Sequence, residues 1–409
     1  MRILLLAPHP FYQERGTPIS VDLLIRALSE RGDLVDVLTF HEGENRHYAG
    51  VRIHRIQPPC FGIRNIRPGP SIKKLICDLY LLAAFARRLR QEQYDIIHAV
   101  EESAFMAMGL KPFSSLPFIY DMDSSLATQL TDKYRLLRPF AGLLRFIESL
   151  PVRSAEVVMP MCEALAREIR HYGPRHVAVI KDVSLLDAGN AGSGPAPLPA
   201  RGSVPAQAPL REALGIQGPI TMYIGNLESY QGIDLLLESF ALVHRQMADV
   251  SLIVIGGIPA DIASYLQAAE KQGIADNVHF LGKRPVSDLH AYMRQADVLV
   301  SPRIKGLNTP MKIYSYLHSG VPVLATDLPT HTQVMDQSTA RLAAPVALDF
   351  ANGWLALLQN PSRGAELALR ARALIEREHS YAAFRKALYK LYEHLELRLA
   401  PPIPSSQNQ

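Results

Sequence analysis

The sequence predicts an α/β protein of two doubly wound, Rossmann-like domains, and three observations carry that prediction. Short apolar runs alternate with amphipathic stretches along most of the chain, which is the pattern of βα units and parallel sheets. The alternation breaks once, at a segment rich in Ala, Gly, Pro and Ser, and then restarts. The length of 409 residues, 48% of them hydrophobic, suits two or three domains with a core in each.

Ile3–Ala7 is a continuous apolar run, as a strand covered on both faces requires. A polar loop from His9 to Thr17 leads to a helix from Ser20 to about Glu30, with Val21, Leu24, Ile25 and Leu28 on one face and Gly32 as its stop. Leu34–Phe40 and Val51–Ile56 read as strands and Ser71 to Glu92 as a long helix. Asp95–Val100, Pro117–Tyr120 and Ala155–Met159 read as strands, Cys162 to Tyr172 as a helix, and Val177–Val183 as a further strand. Leu186 to Pro209 has no apolar periodicity and too little apolar surface to repay ordering, so a flexible insertion is expected there. Strands then recur at Ile220–Ile224, Val250–Ile255, Asn277–Leu281, Asp297–Ser301 and Val321–Thr326, interleaved with helices at Ile233–Gln246, Val286–Arg294 and Pro310–Leu317. Tyr381 to Leu399 carries Ala383, Phe384, Leu388, Leu391, Tyr392 and Leu395 at helical spacing, and PPIPSSQNQ reads as a disordered tail. The expected division is a domain over 1–185, a flexible linker over 186–217, a second domain over 218–380, and over 381–409 a helix returning to the first domain and a tail. Right-handed crossovers place the ligand site at the carboxyl ends of the strands, and a cleft between the two domains is the expected location.

Composition excludes several classes. The net charge of +4, without a long basic run, does not suit nucleic acid. Cys60, Cys77 and Cys162 are far apart and lack metal-ligand spacing, so no metal site and a reduced, cytoplasmic setting are expected. The opening MRILLLAPHP is too short for a signal core and reads as a buried strand, and no segment reads as a spanning helix. There is no P-loop, no Gly-x-Ser-x-Gly, and no Gly-x-Gly-x-x-Gly after the first strand, which argues against an ordinary dehydrogenase.

Chemistry concentrates at strand ends. From Ser301 to Lys312, a strand end and a helix start enclose Arg303, Lys305 and Lys312, with the polar Asn308 and Thr309 before Pro310. Full charges beside free helix N–H groups suit a diphosphate. A solvated loop with surface lysines would share the composition, but the convergence on a strand's carboxyl end favours an anion site. GNLESYQG, with Gly225, Asn226, Gln231 and Gly232, is a weaker second junction, equally a tight turn or a phosphate cradle, and Gly256–Gly257 is a third. In the first domain the strand ends and the first loop offer Gly16, Thr17, His98, Glu101, Glu102, Asp121, Asp123 and Ser124. Carboxylates such as those of YDMDSS can orient sugar hydroxyls or act as a base, and their location favours this slightly over capping of a helix by Asp123 or Ser124, while His98 could equally be a core histidine.

Residues 219–336 resemble the donor-binding half of glycosyltransferase family 4, the group 1 glycosyltransferases. YIGNLESYQGIDLLLESF is similar to the family's first strand–loop–helix segment, and NVHFLGKRPVSDLHAYMRQADVLVSP to the stretch leading to its signature. NTPMKIYSYLHSGVPVLATD resembles the Pro-x-Lys-x-x-Glu-Tyr signature and its following Gly-x-Pro-Val. The N-terminal half resembles the family more loosely, through the Gly16 loop and YDMDSS.

The resemblance implies a GT-B fold, with an acceptor-binding first domain and a second that binds a nucleotide sugar. It implies a retaining, metal-independent glycosyltransferase with no cofactor beyond the nucleotide-sugar co-substrate. On that reading Arg303, Lys312 and Asp123 carry the chemistry. Gly225, Asn226, Gln231, Gly257, Lys305, Asn308, Thr309, Pro310 and Ser315 hold the donor. Gly16, Thr17, His98, Glu102, Asp121 and Ser124 lie on the acceptor side.

Five positions depart from the family: its arginine is Asn226, its lysine Gln231, its two glutamates Leu307 and Ser315, and its acceptor-side histidine Asp123. Those losses leave two alternatives, an inactive GT-B partner or regulatory protein and a sugar-nucleotide epimerase. Ser71–Glu92 and Tyr134–Arg153 mix basic residues with apolar ones. They admit a peripheral membrane contact and a lipid-linked acceptor, although core helices with basic ends share the pattern. A glycan is the other acceptor class.

Overall fold

Twelve strands form two six-stranded sheets, paired in parallel throughout, in a computed structural model that describes residues 1–14, 16–59, 62–66, 69, 71–188, 209–306 and 308–399. The first sheet contains β1 (Arg2–Ala7), β2 (Leu34–Thr39), β3 (Val51–Arg55), β4 (Ile96–Val100), β5 (Phe118–Met122) and β6 (Val157–Pro160), in the order β3-β2-β1-β4-β5-β6. The second contains β7 (Ile220–Ile224), β8 (Ser251–Ile255), β9 (Val278–Gly282), β10 (Val298–Ser301), β11 (Val323–Thr326) and β12 (Arg341–Ala343), in the order β12-β11-β10-β7-β8-β9. Each sheet thus reverses direction beside its first strand, between β1 and β4 and between β7 and β10. In open α/β sheets the ligand crevice lies at the carboxyl ends of such a pair.

The chain divides into two units, Met1–Lys181 with Ala382–Gln409, and Asp182–Tyr381. In the first, the helix Tyr381–Leu399 buries Leu388, Leu391, Tyr392 and Leu395. Its polar side is tied by Arg31 to Glu396 at 2.8 Å, Arg385 to Glu30 at 3.1 Å and Arg398 to Glu156 at 2.9 Å. In the second, Trp354 on the helix Ala347–Gln359 fills the core against Phe240 and Phe350.

Several expectations change. The first helix is Gly16–Arg31 and starts four residues before Ser20, since Pro18 is tolerated in a first turn. Val177–Val183 is not a strand. It runs beside β6, where Ala178 and Ile180 donate N–H bonds to the carbonyls of Val158 and Pro160, but only Val177 is bridged. Pro160 has no N–H to return, so the ladder cannot continue. The linker is shorter than 186–217. Its middle, 189–208, lies outside the described residues, but Leu185–Ala188 and Leu210–Leu214 are helical and Leu210 is fully buried in the second core. Leu307, Cys60 and the tail 400–409 also lie outside the described residues, whereas Cys77 and Cys162 are buried.

The helix Ala141–Ser154 is turned inside out. It buries Glu148, Ser149, Pro151 and Val152 and exposes Leu143, Phe146, Ile147 and Leu150. Glu148 is 1% exposed and accepts hydrogen bonds from Ser125 Oγ at 2.9 Å, the Ala127 N–H at 3.2 Å and Tyr172 Oη at 3.3 Å. Burial raises its pKa above the ordinary carboxylate value. Among the described residues, no helix is long and apolar enough to cross a membrane.

Candidate active site

The site is assembled where β7 and β10 end in the second unit. Tyr316, fully buried on the helix Met311–His318, accepts the Ile224 N–H through Oη at 2.6 Å and so fixes the end of β7. The loop from Gly225 to Gly232 follows. Gly232 has φ +74°, and a Cβ there would lie 2.1 Å from the Pro302 carbonyl oxygen. Only glycine allows this loop to touch the one after β10, and the Ile304 N–H donates to the Tyr230 carbonyl at 3.0 Å across the contact. The two loops therefore form one cradle.

Two cations line it. Lys312 Nζ donates to Gln231 Oε1 at 3.3 Å and sits 3.9 Å from the Tyr223 ring centroid, and a Cβ on Gly225 would come within 3.0 Å of it. Arg303 is 8% exposed, with Nε donating to the Lys305 carbonyl at 2.6 Å and Nη2 to Asn308 Oδ1 at 3.3 Å. Its guanidinium lies 5.2 Å from the Tyr230 ring centroid. Burial, then the charge of Arg303, holds the Lys312 pKa well below the ordinary lysine value, and burial lowers that of Arg303. Among the described residues neither cation is matched by a carboxylate. Buried charge is costly unless paired, so two unmatched cations in one cradle mark a place for an anion.

Neutral donors surround the same place. Thr309 is 1% exposed, and its hydroxyl has no hydrogen-bond partner among the described residues. Pro310 caps the helix Met311–His318 without a side-chain cap bond; the Ile313 N–H is taken by the Pro310 carbonyl at 2.9 Å, which leaves those of Met311 and Lys312 at the helix start. Pro310 stands one residue before the helix, not at its first position.

The other expected donor residues divide. Asn226 shapes the cradle, its Oδ1 accepting the Glu228 N–H at 3.4 Å and its Nδ2 donating to Tyr230 Oη at 3.3 Å. Gly257 packs against Leu227, which a Cβ would meet at 2.6 Å. Lys305 contributes its carbonyl to Arg303 and has an exposed side chain. Ser315 is placed elsewhere: it is buried, and its Oγ accepts the Leu185 N–H at 3.2 Å. Being engaged there, it does not join the cation cradle.

One residue here escapes sequence reasoning. His331, on the short helix Pro329–Thr332, is fully buried beneath the cradle. Its Nε2 lies 2.9 Å from Ser301 Oγ and its Nδ1 2.9 Å from the Thr326 carbonyl. The only signal in the sequence is a histidine two residues after Pro329, with threonines on either side.

At the carboxyl ends of β4 and β5, the first unit gathers acids. Ser124 Oγ donates to Glu101 Oε1 at 3.0 Å, and Glu102 forms an ion pair with Lys74. Burial, then the charges of Asp123 and Glu102, pushes the Glu101 pKa well above the ordinary carboxylate value. Glu101 also has φ +52°, a strained conformation for a side-chain-bearing residue. Asp78, from the helix Ile72–Gln91, joins this group unannounced by the sequence, and burial, then Glu102, raises its pKa to about 7. His98 does not join it. It is fully buried, with Nδ1 2.7 Å from Tyr392 Oη and Nε2 3.2 Å from Asp121 Oδ2, so both nitrogens are satisfied as in a core histidine. Gly16 and Thr17 open the first helix, and Ser125, rather than Asp123 or Ser124, caps the helix Leu126–Lys133.

Known proteins share this architecture. The family model described as Glycosyltransferase Family 4 matches residues 15–181, and that described as Glycosyl transferases group 1 matches residues 218–360. The chain is 22% identical to the phosphatidyl-myo-inositol mannosyltransferase of Mycobacterium tuberculosis over 96% of its own length and 97% of that protein's. It is 26% identical to the Mycobacterium leprae mannosyltransferase of the same name over 41% of this chain, which spans 44% of that relative. Among solved structures it is similar to sucrose-phosphate synthase from Thermosynechococcus elongatus, with TM-score 0.77, 19% identity, and coverage of 97% and 99% of the two chains. It is also similar to HepE from Anabaena in complex with UDP, with TM-score 0.72, 17% identity, and coverage of 96% and 100%. The two family models between them take in most of the chain, and the chain belongs to the family 4, or group 1, glycosyltransferases.

Proposed function

We propose that the chain transfers a sugar from a nucleoside-diphosphate sugar to a hydroxyl acceptor, with retention of configuration and without a metal ion or other cofactor. The observation that carries this reading is the pair of buried, carboxylate-free cations, Arg303 and Lys312, in one cradle. As the sugar leaves, negative charge develops on the diphosphate. Two fixed cations, the Thr309 hydroxyl and the N–H groups of Met311 and Lys312 at the helix start stabilise it in place of a metal. Gln231, where the family carries a lysine, orients Lys312 instead of adding a charge. On the acceptor side, Asp123 and its neighbours orient the attacking hydroxyl, and holding both reactants supplies much of the rate. The UDP complex of HepE and the names of the mannosyltransferases support the donor class.

The acceptor class is a lipid-linked molecule reached by peripheral contact with an anionic membrane from the cytoplasm. Leu136, Phe140, Leu143, Phe146, Ile147 and Leu150 form an exposed apolar face, with Arg138 and Arg145 beside it. Apolar residues backed by arginines suit an acidic lipid surface. Flotation with phosphatidylglycerol liposomes at low salt tests it. The intact protein should float, Leu143→Ser/Phe146→Ser should not, and wild-type protein left at the bottom rejects the membrane reading. For the donor, a thermal-shift series with UDP, GDP and ADP should single out one nucleotide by a selective rise in Tm. No rise with any of them, at millimolar concentration, counts against the donor class.

A further inference from the structure

We propose that His331 is a positioning residue that sets the loop carrying Arg303 for the donor diphosphate, an inference that rests on the nucleoside-diphosphate reading above. A carbonyl can only accept, so the hydrogen on His331 lies on Nδ1 and is donated to Thr326. Nε2 is then bare and accepts the hydroxyl of Ser301, the last residue of β10. Burial, opposed by the Thr326 carbonyl and reinforced by Lys312 and Arg303, lowers the pKa of His331 to about 4, which keeps the imidazole neutral at pH 7.

Two hydroxyls, one touching this fixed ring and one on the residue beside it, reach the loop. Thr326 Oγ1, 3.1 Å from His331 Nδ1, donates to the Arg303 carbonyl at 2.5 Å. Thr330 Oγ1, from the residue next to His331, donates to the Asn308 carbonyl at 2.8 Å. Arg303 and Asn308 are the pair joined by the Nη2 to Oδ1 bond. The loop is therefore held at Arg303 through Thr326, which the imidazole contacts directly, and at Asn308 through Thr330, the chain neighbour of His331. No other side chain fills both roles. Asparagine can reproduce the donor at Nδ1 and glutamine the acceptor at Nε2, while phenylalanine keeps the volume and loses both.

The test compares full-length wild type with His331→Phe and His331→Asn. Calorimetry gives Kd for UDP, GDP and ADP and for the matching monophosphates, and hydrogen exchange follows the amides of 303–309. His331→Phe should weaken diphosphate binding about tenfold, as expected when a charge-assisted contact loses its preorganisation. The monophosphate Kd should stay within about twofold, because the clamp acts on the groups beyond the first phosphate. Exchange across 303–309 should accelerate, and His331→Asn should lie between the two. A folded variant with unchanged exchange and unchanged diphosphate-to-monophosphate preference overturns the proposal, however far its Tm falls. A wild type that binds no diphosphate overturns the donor reading instead, and loop exchange then decides the clamp alone. Should His331→Phe fail to fold, His331→Asn decides by the same two readouts.

Discussion

Replacing Gly232 by alanine tests the cradle at its tightest point. The new Cβ would lie 2.1 Å from the Pro302 carbonyl oxygen, against about 3.4 Å for ordinary contact, so the two loops must separate by roughly 1.3 Å. The obstacle is backbone and cannot rotate away. Alanine at φ +74° also costs about 1–2 kcal/mol on conformation alone. Overpacking of a tight contact adds about 1–3 kcal/mol, for a total of roughly 2–5 kcal/mol. Gly273 supplies the control: its φ is +69° and nothing lies within 4 Å of its Cβ position, so Gly273→Ala carries the conformational cost alone. Urea unfolding of both variants isolates the clash as their difference, and nucleotide calorimetry reads its effect on the site. Gly232→Ala should be the less stable by about 1–3 kcal/mol and should lose diphosphate affinity, whereas Gly273→Ala should keep it. Equal stability and equal affinity in the two would refute the close approach of the loops.

Lys312→Met should weaken diphosphate binding by about 10- to 100-fold, the loss of one charge-assisted contact of roughly 1.5–3 kcal/mol, as read by calorimetry. The same change alters the pH response. The folded pKa of Lys312 lies below its unfolded value near 10.4, so between the two the unfolded chain binds more protons. Stability contributed by this group therefore rises as pH rises through that window, and the nucleotide-free Tm difference, wild type minus Lys312→Met, should grow from neutral pH towards pH 10. A difference that stays flat would mean that Lys312 is not held in a depressed state. Tyr316→Phe removes the acceptor for the buried Ile224 N–H and should cost about 1–3 kcal/mol in urea unfolding. A loss below about 0.5 kcal/mol would show that this bond does not hold the end of β7.

The strands were legible because parallel sheets bury both faces. Ile220–Ile224 and Val250–Ile255 are apolar apart from Thr221 and Ser251, and short apolar runs of this kind locate them. The cation loop was legible for a different reason, as three positive side chains lie close together between a strand and a helix. Ser315 and His98 were misplaced because a polar residue at a strand or helix end looks the same in sequence whether its partner is a ligand or the protein. Their partners, Leu185 and Tyr392, stand 130 and 294 residues away. Asp78 was missed by the same token: its neighbour Glu102 comes from another element, and a carboxylate on a helix carries no local mark of burial. Val177–Val183 was read as a strand on its apolar content, and the missing N–H belongs to Pro160 on the strand beside it.

The first unit is assembled from two stretches separated by the whole of the second, and this sets an order on its synthesis. Asp182–Tyr381 is continuous and can close its core before translation finishes, but Met1–Lys181 must wait for the helix Tyr381–Leu399. Until Tyr392, Leu388 and Leu395 arrive, His98 lacks its phenol partner and the surface they cover stays open to solvent. The portion made first is thus completed last. Truncation near residue 381 should leave the second unit able to fold and the first dependent on chaperones.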